Sequence, residues 1–204
     1  MQKQLIAIDG YSLMYRAYYA LPDMTARDGT PTGALYGFLT MLLTLAARDP
    51  AYMLVAFDSH GPTFRHERYD AYKAGRKPMP DDLRTQLPVL KELLTKMGVT
   101  MCEVKGLEAD DILGSIAASC EKEGLNALLV TGDRDALQLV SDTTRVLLTK
   151  RGISETVEAD PAYLMETYGR TPVGMVDLKA LMGDSSDNVP GAPGIGLKTA
   201  ALLI

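Results

Sequence analysis

The sequence predicts an α/β protein in which a mostly parallel central sheet has helices on both faces. Short, continuous apolar runs that are typical of buried strands alternate with longer segments that carry apolar residues at helical spacing. Two of these runs, at 5–8 and 52–57, lead directly into an aspartate, and a third at 126–130 leads into a turn with two more. Because the carboxyl ends of parallel strands meet at one edge of a sheet, the pattern predicts an acidic site there.

Length and composition fit one main globular domain. The chain has 204 residues, of which 47% are hydrophobic and 23% charged, enough for one sizeable core. A net charge of -5 excludes a protein that is basic throughout, although a local basic patch can still bind nucleic acid. Cys102 and Cys120 form no CxxC pair, so we expect neither a zinc site nor a disulfide framework. The sequence shows no membrane-spanning run and no signal peptide, so we expect a cytoplasmic protein with no membrane partner.

The first half of the chain contains three predicted strands and three predicted helices. Apolar runs bounded by turn residues predict strands at 5–8, 52–57 and 99–104. Apolar residues spaced three or four apart predict helices at 11–19, 34–47 and 82–97. The tyrosines of the first helix are either core residues or surfaces for stacked bases, and burial in the core is the default interpretation.

Helices and strands continue to alternate in the second half. The same patterns predict helices at 108–123, 136–140 and 161–168, and strands at 126–130 and 144–149. Gly124 ends the first of these helices. The sequence stops at residue 204 in an apolar helical pattern without a cap, and we expect a fragment of a longer polypeptide.

An acidic turn at 106–111, with the sequence Gly-Leu-Glu-Ala-Asp-Asp, organises the middle of the chain. Its acids are Glu108, Asp110 and Asp111, and they precede a helix with one apolar face. Glu108 and Asp111 are three residues apart, so both can project from the same side of the first turn. Acids at a helix start also interact favourably with the helix dipole, so a purely structural role remains an alternative.

Four aspartates follow predicted strands. They are Asp9, Asp58, Asp133 and Asp135. A turn or an N-cap explains each of them taken alone. Asp133 and Asp135 alternate around one residue, as in many loops that bind hard cations. Their shared edge of the sheet would bring all four within reach of the acidic turn.

Residues 60–77 form a basic segment in a chain that is acidic overall. It carries five cations and two anions, a net charge of +3. The cations are Arg65, Arg68, Lys73, Arg76 and Lys77. Phe64, Tyr69 and Tyr72 lie between them, and basic residues with aromatics suit a phosphate backbone and stacked bases. A solvated loop or helix face is the alternative interpretation.

The last motif joins two further acids to a glycine-rich stretch. Asp184 and Asp187 precede residues 191–200, whose glycines can present backbone N–H groups and a helix start to a phosphate. This stretch is not a P-loop, because Leu197 separates Gly196 from Lys198.

The number of carboxylates predicts chemistry that depends on metal ions. Acids that share a pocket repel one another and raise their pKa values unless cations neutralise them. Ligand sets made only of oxygen favour Mg²⁺ or Mn²⁺ over zinc. Two such ions about 4 Å apart can activate a water and stabilise the leaving oxygen of a phosphoryl displacement. The residues therefore predict metal-assisted phosphodiester hydrolysis, with the basic segment and the glycine-rich stretch holding a nucleic acid.

Several of these motifs, in this order, resemble the flap endonuclease/5′ nuclease family. They are Asp9, Asp58, the acidic turn, residues 131–135 and residues 183–188. Within that family the chain is similar to the 5′–3′ exonuclease domains at the N-terminus of bacterial DNA polymerases. The resemblance implies a PIN-like/5′ nuclease fold over residues 1–170, with an arch at about 60–80 in the basic segment. Residues 171–204 would begin a helix-hairpin-helix element, here truncated, which in the family binds duplex DNA and a K⁺ ion.

The resemblance also implies a role for each motif residue. Asp9, Asp58, Glu108 and Asp110 would hold one Mg²⁺ or Mn²⁺ ion, with Asp111 beside them. Asp133, Asp135 and Asp187 would hold a second ion, supported by Asp184. Lys73 and Arg76 would act with the first acids as catalytic residues at the scissile phosphate. The expected DNA contacts are Tyr15, Arg16, Arg65, Lys73, Arg76, Lys77, Gly191, Gly194, Gly196 and Lys198.

The resemblance implies a monomer that cuts DNA at 5′ ends, flaps, nicks or gaps during primer removal and repair. A PIN-like ribonuclease is one alternative, since it places a similar acidic cluster on a related sheet, but the glycine-rich stretch and the basic segment argue against it. A non-catalytic helix-hairpin-helix module that only binds DNA is the other alternative. Metal dependence separates the two classes, because a module that only binds DNA needs no Mg²⁺.

Overall fold

A computed structural model describes residues 3–152 and 154–204 and shows strands and helices that alternate along the chain. The strands are β1 (Gln4–Asp9), β2 (Tyr52–Phe57), β3 (Thr100–Glu103), β4 (Asn126–Thr131), β5 (Thr144–Arg151), β6 (Glu155–Ala159), β7 (Gly183–Asp184) and β8 (Val189–Pro190). The helices are α1 (Gly10–Ala20), α2 (Gly33–Ala46), α3 (Phe64–Arg68), α4 (Asp81–Lys96), α5 (Ala109–Lys122), α6 (Pro161–Tyr168), α7 (Pro172–Met182) and α8 (Leu197–Leu203). A 3₁₀ segment at Arg134–Leu139 follows β4.

The central sheet has the strand order β3-β2-β1-β4-β5-β6. Strands β1 to β5 pair in parallel, and β6 is antiparallel to β5. Strands β7 and β8 pair with each other in a separate hairpin. The strand order reverses at β1, and in open sheets a ligand crevice lies beyond the carboxyl ends at such a reversal. The predicted α/β class with a mostly parallel sheet is confirmed.

Side chains alternate along the buried strands and place a hydrophobic core on each face of the sheet. Ile6 and Ile8 of β1 pack with residues of α1, α2 and α4. Ala7 of β1 and Leu129 of β4 point the other way and pack with residues of α5, α7 and the 3₁₀ segment. Ala200 of α8 is fully buried in the second core. Helices therefore cover both faces, as the sequence predicts.

The sequence patterns did not predict β6, β7, β8, α3 or α7. Strand β6 is an edge strand in which only Ala159 is buried, so it lacks the apolar run that marks the central strands. Helix α7 begins with the N-cap Thr171, followed by Pro172, and this pair was the signal that could have located it. The helix predicted at 136–140 is instead the 3₁₀ segment. Helices α7 and α8, with the hairpin between them, confirm the helix-hairpin-helix element that the resemblance implies.

No helix in the described ranges has the length and apolar character that a membrane crossing needs.

Candidate active site

An open cleft of about 1060 Å³ lies at the carboxyl ends of β1, β2 and β4. The acids that line it are Asp9, Asp58, Glu108, Asp110, Asp133, Asp135 and Asp187. Seven of the nine acids predicted to bind metal thus border one cleft, and Asp111 and Asp184 lie outside its lining. The parallel sheet achieves this convergence, because it brings distant strand ends to one edge.

Asp9 at the end of β1 is buried and held by two hydrogen bonds. The backbone N–H of Ser12 donates to Oδ1 over 2.9 Å and caps α1, and the hydroxyl of Thr131 donates to Oδ2 over 3.0 Å. Burial raises the pKa of Asp9 to about 6, and the charges of Asp58 and Asp133 act in the same direction. Asp9 therefore both caps α1 and lines the cleft.

Asp58 and Asp110 connect β2 to the start of α5. The backbone N–H of Ala109 donates to Asp58 Oδ1 over 2.6 Å. Asp110 Oδ1 is buried and has no hydrogen-bond partner within residues 3–152 and 154–204. Burial raises the pKa of Asp110 to about 8, and the charges of Asp9, Asp133 and Asp58 raise it as well. A buried carboxylate oxygen without a donor, among other carboxylates, suits a hard divalent cation.

The basic segment places two of its cations directly on acids of the cleft. Lys73 Nζ lies 2.9 Å from Glu108 Oε2, and Glu108 is only 5% exposed. Arg76 pairs with Asp187 through its guanidinium. Both predicted catalytic cations are therefore in the cleft, and each neutralises one of its acids.

Tyr72 has a different position from the one its sequence context suggested. The sequence favours the aromatics of the basic segment as surfaces for stacked bases, but Tyr72 is buried. Its hydroxyl lies 3.0 Å from both Glu108 Oε2 and Asp187 Oδ2, so its one proton is shared between two acids. Burial and these two charges raise the pKa of Tyr72 far above its ordinary value. The side chain thus links the basic segment to the turn that holds Asp187.

Asp111 and Arg65 form a separate ion pair beside the cleft. The Arg65 guanidinium donates to both carboxylate oxygens of Asp111 over 2.8 and 2.7 Å. Asp111 also accepts the backbone N–H of Glu108 over 3.0 Å, which caps α5. Asp111 therefore has the structural role at the helix start that the sequence allowed as an alternative.

Asp133, Asp135 and Asp184 form the other side of the acidic region. Asp133 caps the 3₁₀ segment and accepts the backbone N–H of Asp135 over 2.9 Å. Asp135 Oδ1 faces Lys179 Nζ at 2.7 Å, and the same ammonium lies 2.9 Å from Asp184 Oδ2. Lys179 was not a predicted site residue, since no pattern had located the helix that carries it.

The predicted DNA contacts fall into two groups. Tyr15, Arg16, Lys73 and Arg76 line the cleft. The Arg16 guanidinium is fixed by the end of β5, because it donates to the carbonyl oxygens of Thr149 and Lys150 over 2.9 and 3.1 Å. Outside the lining are Arg65, Lys77, Gly191, Gly194, Gly196 and Lys198.

The glycines of the C-terminal hairpin are not equivalent. A Cβ on Gly191 would overlap the backbone of Met182, so this glycine is needed for packing within the hairpin. Gly194 has a φ of 77°, and a Cβ there would meet open space, as expected for a turn exposed to a ligand or to solvent. Exposed Lys198 lies in the first turn of α8.

The donor set fits a divalent metal, although it is not assembled as a closed cage. In the described residues, no three His, Cys, Asp or Glu side chains are grouped closely enough to hold an ion as they stand. Three of the cleft acids, Glu108, Asp187 and Asp135, each form an ion pair with a lysine or an arginine. Oxygen-only donors, a buried oxygen without a partner and raised pKa values all favour binding of a divalent metal.

Comparison with known sequences finds two matching family profiles and several relatives. The profile described as "5'-3' exonuclease, N-terminal resolvase-like domain" matches residues 4–169, and that described as "5'-3' exonuclease, C-terminal SAM fold" matches residues 170–204. DNA polymerase I of Bacillus caldotenax is 48% identical over 100% of this chain and 23% of its own length. The thermostable DNA polymerase I of Thermus thermophilus is 44% identical over 98% of this chain and 24% of its own length. The chain thus spans less than a quarter of these relatives.

Solved structures share the fold at low sequence identity. The T5 5'-exonuclease with bound divalent metal ions (zinc) has a TM-score of 0.79 at 22% identity, covering 99% of this chain and 74% of that chain. The catalytic core of Rad2 in complex with DNA substrate has a TM-score of 0.65 at 18% identity, covering 100% of this chain and 60% of that chain.

Proposed function

The chain belongs to the 5'-3' exonuclease family, and on that premise we propose that it hydrolyses DNA phosphodiesters at 5′ ends and flaps with divalent metal ions. The family membership confirms the resemblance drawn from the motifs, including the similarity to the N-terminal domain of bacterial DNA polymerase I. One observation carries the proposal. Acids from three strand ends and a helix start border one cleft, and two cations of the basic segment reach into it.

The acids are the proposed metal ligands. Asp9, Asp58, Glu108 and Asp110, with Asp111 beside them, would hold one Mg²⁺ or Mn²⁺ ion. Asp133, Asp135 and Asp187, supported by Asp184, would hold the other. Ions bound there supply Lewis-acid stabilisation of negative charge on the phosphate oxygens.

Lys73 and Arg76 are the proposed phosphate contacts. Each is fixed in the cleft by an acid, so each is already placed near the position of the reacting phosphate. A phosphate that enters the cleft offers oxygens to both cations and can take over these pairings. Cations held in place in this way stabilise the charge that develops in the transition state.

The proposed substrate is a 5′ flap or a nicked or gapped duplex. The open cleft carries the exposed Tyr19 of α1 along with the acids, and an exposed aromatic ring suits an unpaired strand. The hairpin between α7 and α8 would hold the duplex through backbone N–H groups and Lys198, with K⁺ as a proposed additional ion. Relatives and neighbours described as DNA polymerases, an exonuclease with metal ions and a nuclease core with DNA substrate support this choice.

A substrate panel tests the proposal. The chain is incubated with Mg²⁺ and labelled 5′-flap DNA duplex, blunt DNA duplex or single-stranded RNA. We expect cleavage of the flap duplex near the junction and little cleavage of the other two. Preferred cleavage of RNA would instead favour the PIN-like ribonuclease, and binding of the flap without any cleavage would favour a DNA-binding module.

A further inference from the structure

Lys179 is a cation of α7 that reaches the acids at one edge of the cleft. Its ammonium lies 2.7 Å from Asp135 Oδ1 and 2.9 Å from Asp184 Oδ2, between the 3₁₀ segment and the β7–β8 hairpin. The Lys179 side chain is 39% exposed and the two acid side chains are 32% and 19% exposed, so both pairs are partly buried. One lysine thus ties together three elements that meet at the cleft.

The hydrogen bonds of Asp184 leave little freedom in this arrangement. Its Oδ1 accepts the backbone N–H and the hydroxyl of Ser186 over 2.8 and 2.6 Å, and its Oδ2 accepts Lys179. The carboxylate is therefore used on both oxygens, and it fixes the ammonium that faces Asp135. As a result, the cation position beside Asp135 is taken by a side chain of the protein itself.

The acids on the other side of the cleft are in a different state. Across residues 3–152 and 154–204, no ion pair joins Asp9, Asp58 or Asp110 to a lysine or an arginine. The cleft is thus divided into acids without a protein cation and acids that a protein cation already neutralises. In the described part of the chain, a divalent ion meets no protein cation at Asp9, Asp58 and Asp110 and meets Lys73 at the neighbouring Glu108. At Asp135 it must replace or repel the ammonium of Lys179.

We propose that Lys179 is a positioning residue that serves as a built-in cation for Asp135 and Asp184, and that a divalent ion binds Asp135 only by displacing it. This inference rests on the proposed metal-dependent function and adds a residue that sets the affinity of the second ion. In the metal-free protein Lys179 holds the acids in place and prevents their mutual repulsion. When the ion arrives, the ammonium is released from Asp135 and remains attached to Asp184.

Competition of this kind fixes the direction in which loss of Lys179 changes metal affinity and stability. Two cations that share one carboxylate weaken each other's binding, and the coupling is the same in both directions. Removal of the ammonium should therefore tighten metal binding while it destabilises the metal-free protein, which would contain two less compensated acids. A lysine with a purely structural role predicts the opposite sign for metal, because a loosened acid pair would bind the ion less well.

Calorimetric titration with Mn²⁺ alone, paired with thermal melts, tests this prediction in four proteins. Lys179→Met should bind the weaker Mn²⁺ ion about tenfold more tightly than the wild type, a typical size for coupling between two ligands. Its melting temperature without metal should fall. Lys179→Arg, which keeps the charge, should restore wild-type behaviour. Lys91→Met is the matched control, because Lys91 forms an ion pair of 2.7 Å with Glu103 outside the cleft lining and should leave Mn²⁺ affinity unchanged.

Unchanged or weaker Mn²⁺ binding by Lys179→Met would overturn the inference. If that variant does not fold, Lys179→Gln replaces it, since it removes the charge and keeps a hydrogen-bond donor. The failure of the proposed function is separate, because it would appear as absence of metal-dependent cleavage by the wild type. A wild type that cleaves with Mg²⁺, together with a Lys179→Met variant of unaltered Mn²⁺ affinity, would reject only the role of Lys179.

Discussion

The ammonium of Lys73 lies 2.9 Å from Oε2 of Glu108, a carboxylate that is almost fully buried at the start of α5. The backbone of Lys73 supports this contact, with a φ of 56° and an N–H that donates to the carbonyl oxygen of Asp187 over 2.9 Å. A positive φ is uncommon for a residue with a side chain, so the surrounding contacts hold this conformation. The basic segment is thereby anchored to the acids from two sides.

Lys73→Ala should slow cleavage much more than it weakens DNA binding. A fixed cation beside the reacting phosphate acts mainly on the transition state, and its removal typically costs about a hundredfold in rate. Single-turnover cleavage of a flap duplex with Mg²⁺ gives the rate, and equilibrium binding of the same duplex without metal gives the affinity. Lys77→Ala is the control, since Lys77 is exposed and lies outside the cleft lining. This variant should bind DNA more weakly, and its binding should depend less on the salt concentration. Equal losses in rate and affinity for Lys73→Ala would make it an ordinary backbone contact.

The metal-free protein should lose stability as pH rises from about 5 to about 8. The folded pKa values of Asp9 and Asp110 are raised to about 6 and about 8, above the unfolded value near 3.9. In this range the folded state binds more protons than the unfolded state, so the free energy of unfolding falls with increasing pH. Thermal melts in chelator across this pH range measure the effect. Added Mg²⁺ should stabilise the protein more at pH 8 than at pH 5, because protons compete with the metal for the same oxygens.

Asp110→Asn provides the control for that pH dependence. The amide cannot ionise, so the variant should melt higher than the wild type near pH 8 and show a flatter profile without metal. It should also lose most of the stabilisation by Mg²⁺. A pH profile for Asp110→Asn identical to that of the wild type would assign the destabilisation to other groups.

Gly10→Ala should destabilise the fold at the base of the site. A Cβ at this position would overlap the ring of Phe57, and overpacking of this kind typically costs about 1–3 kcal/mol. Gly114→Ala in α5 is the control, because its Cβ would meet Leu139 at an ordinary 3.5 Å and alanine is about 1 kcal/mol better than glycine within a helix. Urea unfolding of both variants should therefore give changes of opposite sign. Equal stability of Gly10→Ala and wild type would show that Phe57 can move without cost.

Much of this site could be predicted from local sequence patterns. The apolar runs located β1, β2 and β4, and the aspartates at their ends followed at once from the parallel sheet. The pairing of cations with acids could not be predicted, since it depends on contacts between residues far apart in the chain. Tyr72 and Asp187, for example, are 115 positions apart and meet only after the hairpin packs against the basic segment. The contacts of Lys179 with Asp135 and Asp184 could not be predicted for the same reason, whereas its helix α7 had a local signal at Thr171 and Pro172.

Tyr72→Phe should separate the basic segment from the turn that holds Asp187. The hydroxyl lies 3.0 Å from two carboxylates, and loss of hydrogen bonds to charged groups costs about 1.5–3 kcal/mol. Chemical denaturation should show this loss, and cleavage should fall because Lys73 and Arg76 become less well positioned. Tyr69→Phe, at an exposed position in the same segment, should change neither value. A Tyr72→Phe variant with wild-type stability and rate would mean that the hydroxyl has no linking role.

Flap cleavage by Asp58→Ala and Asp133→Ala variants, measured with and without Mg²⁺, tests whether the cleft acids bind the catalytic metal. These acids line the cleft from two different strand ends. We expect the wild type to cleave a labelled 5′-flap duplex only with divalent metal, and both variants to lose this cleavage while remaining folded. Asp142→Ala, which removes an exposed acid outside the cleft lining, should cleave like the wild type. Cleavage by the wild type in the presence of a chelator, or intact Mg²⁺-dependent cleavage by either cleft variant, would show that cleavage does not depend on a metal held by these acids.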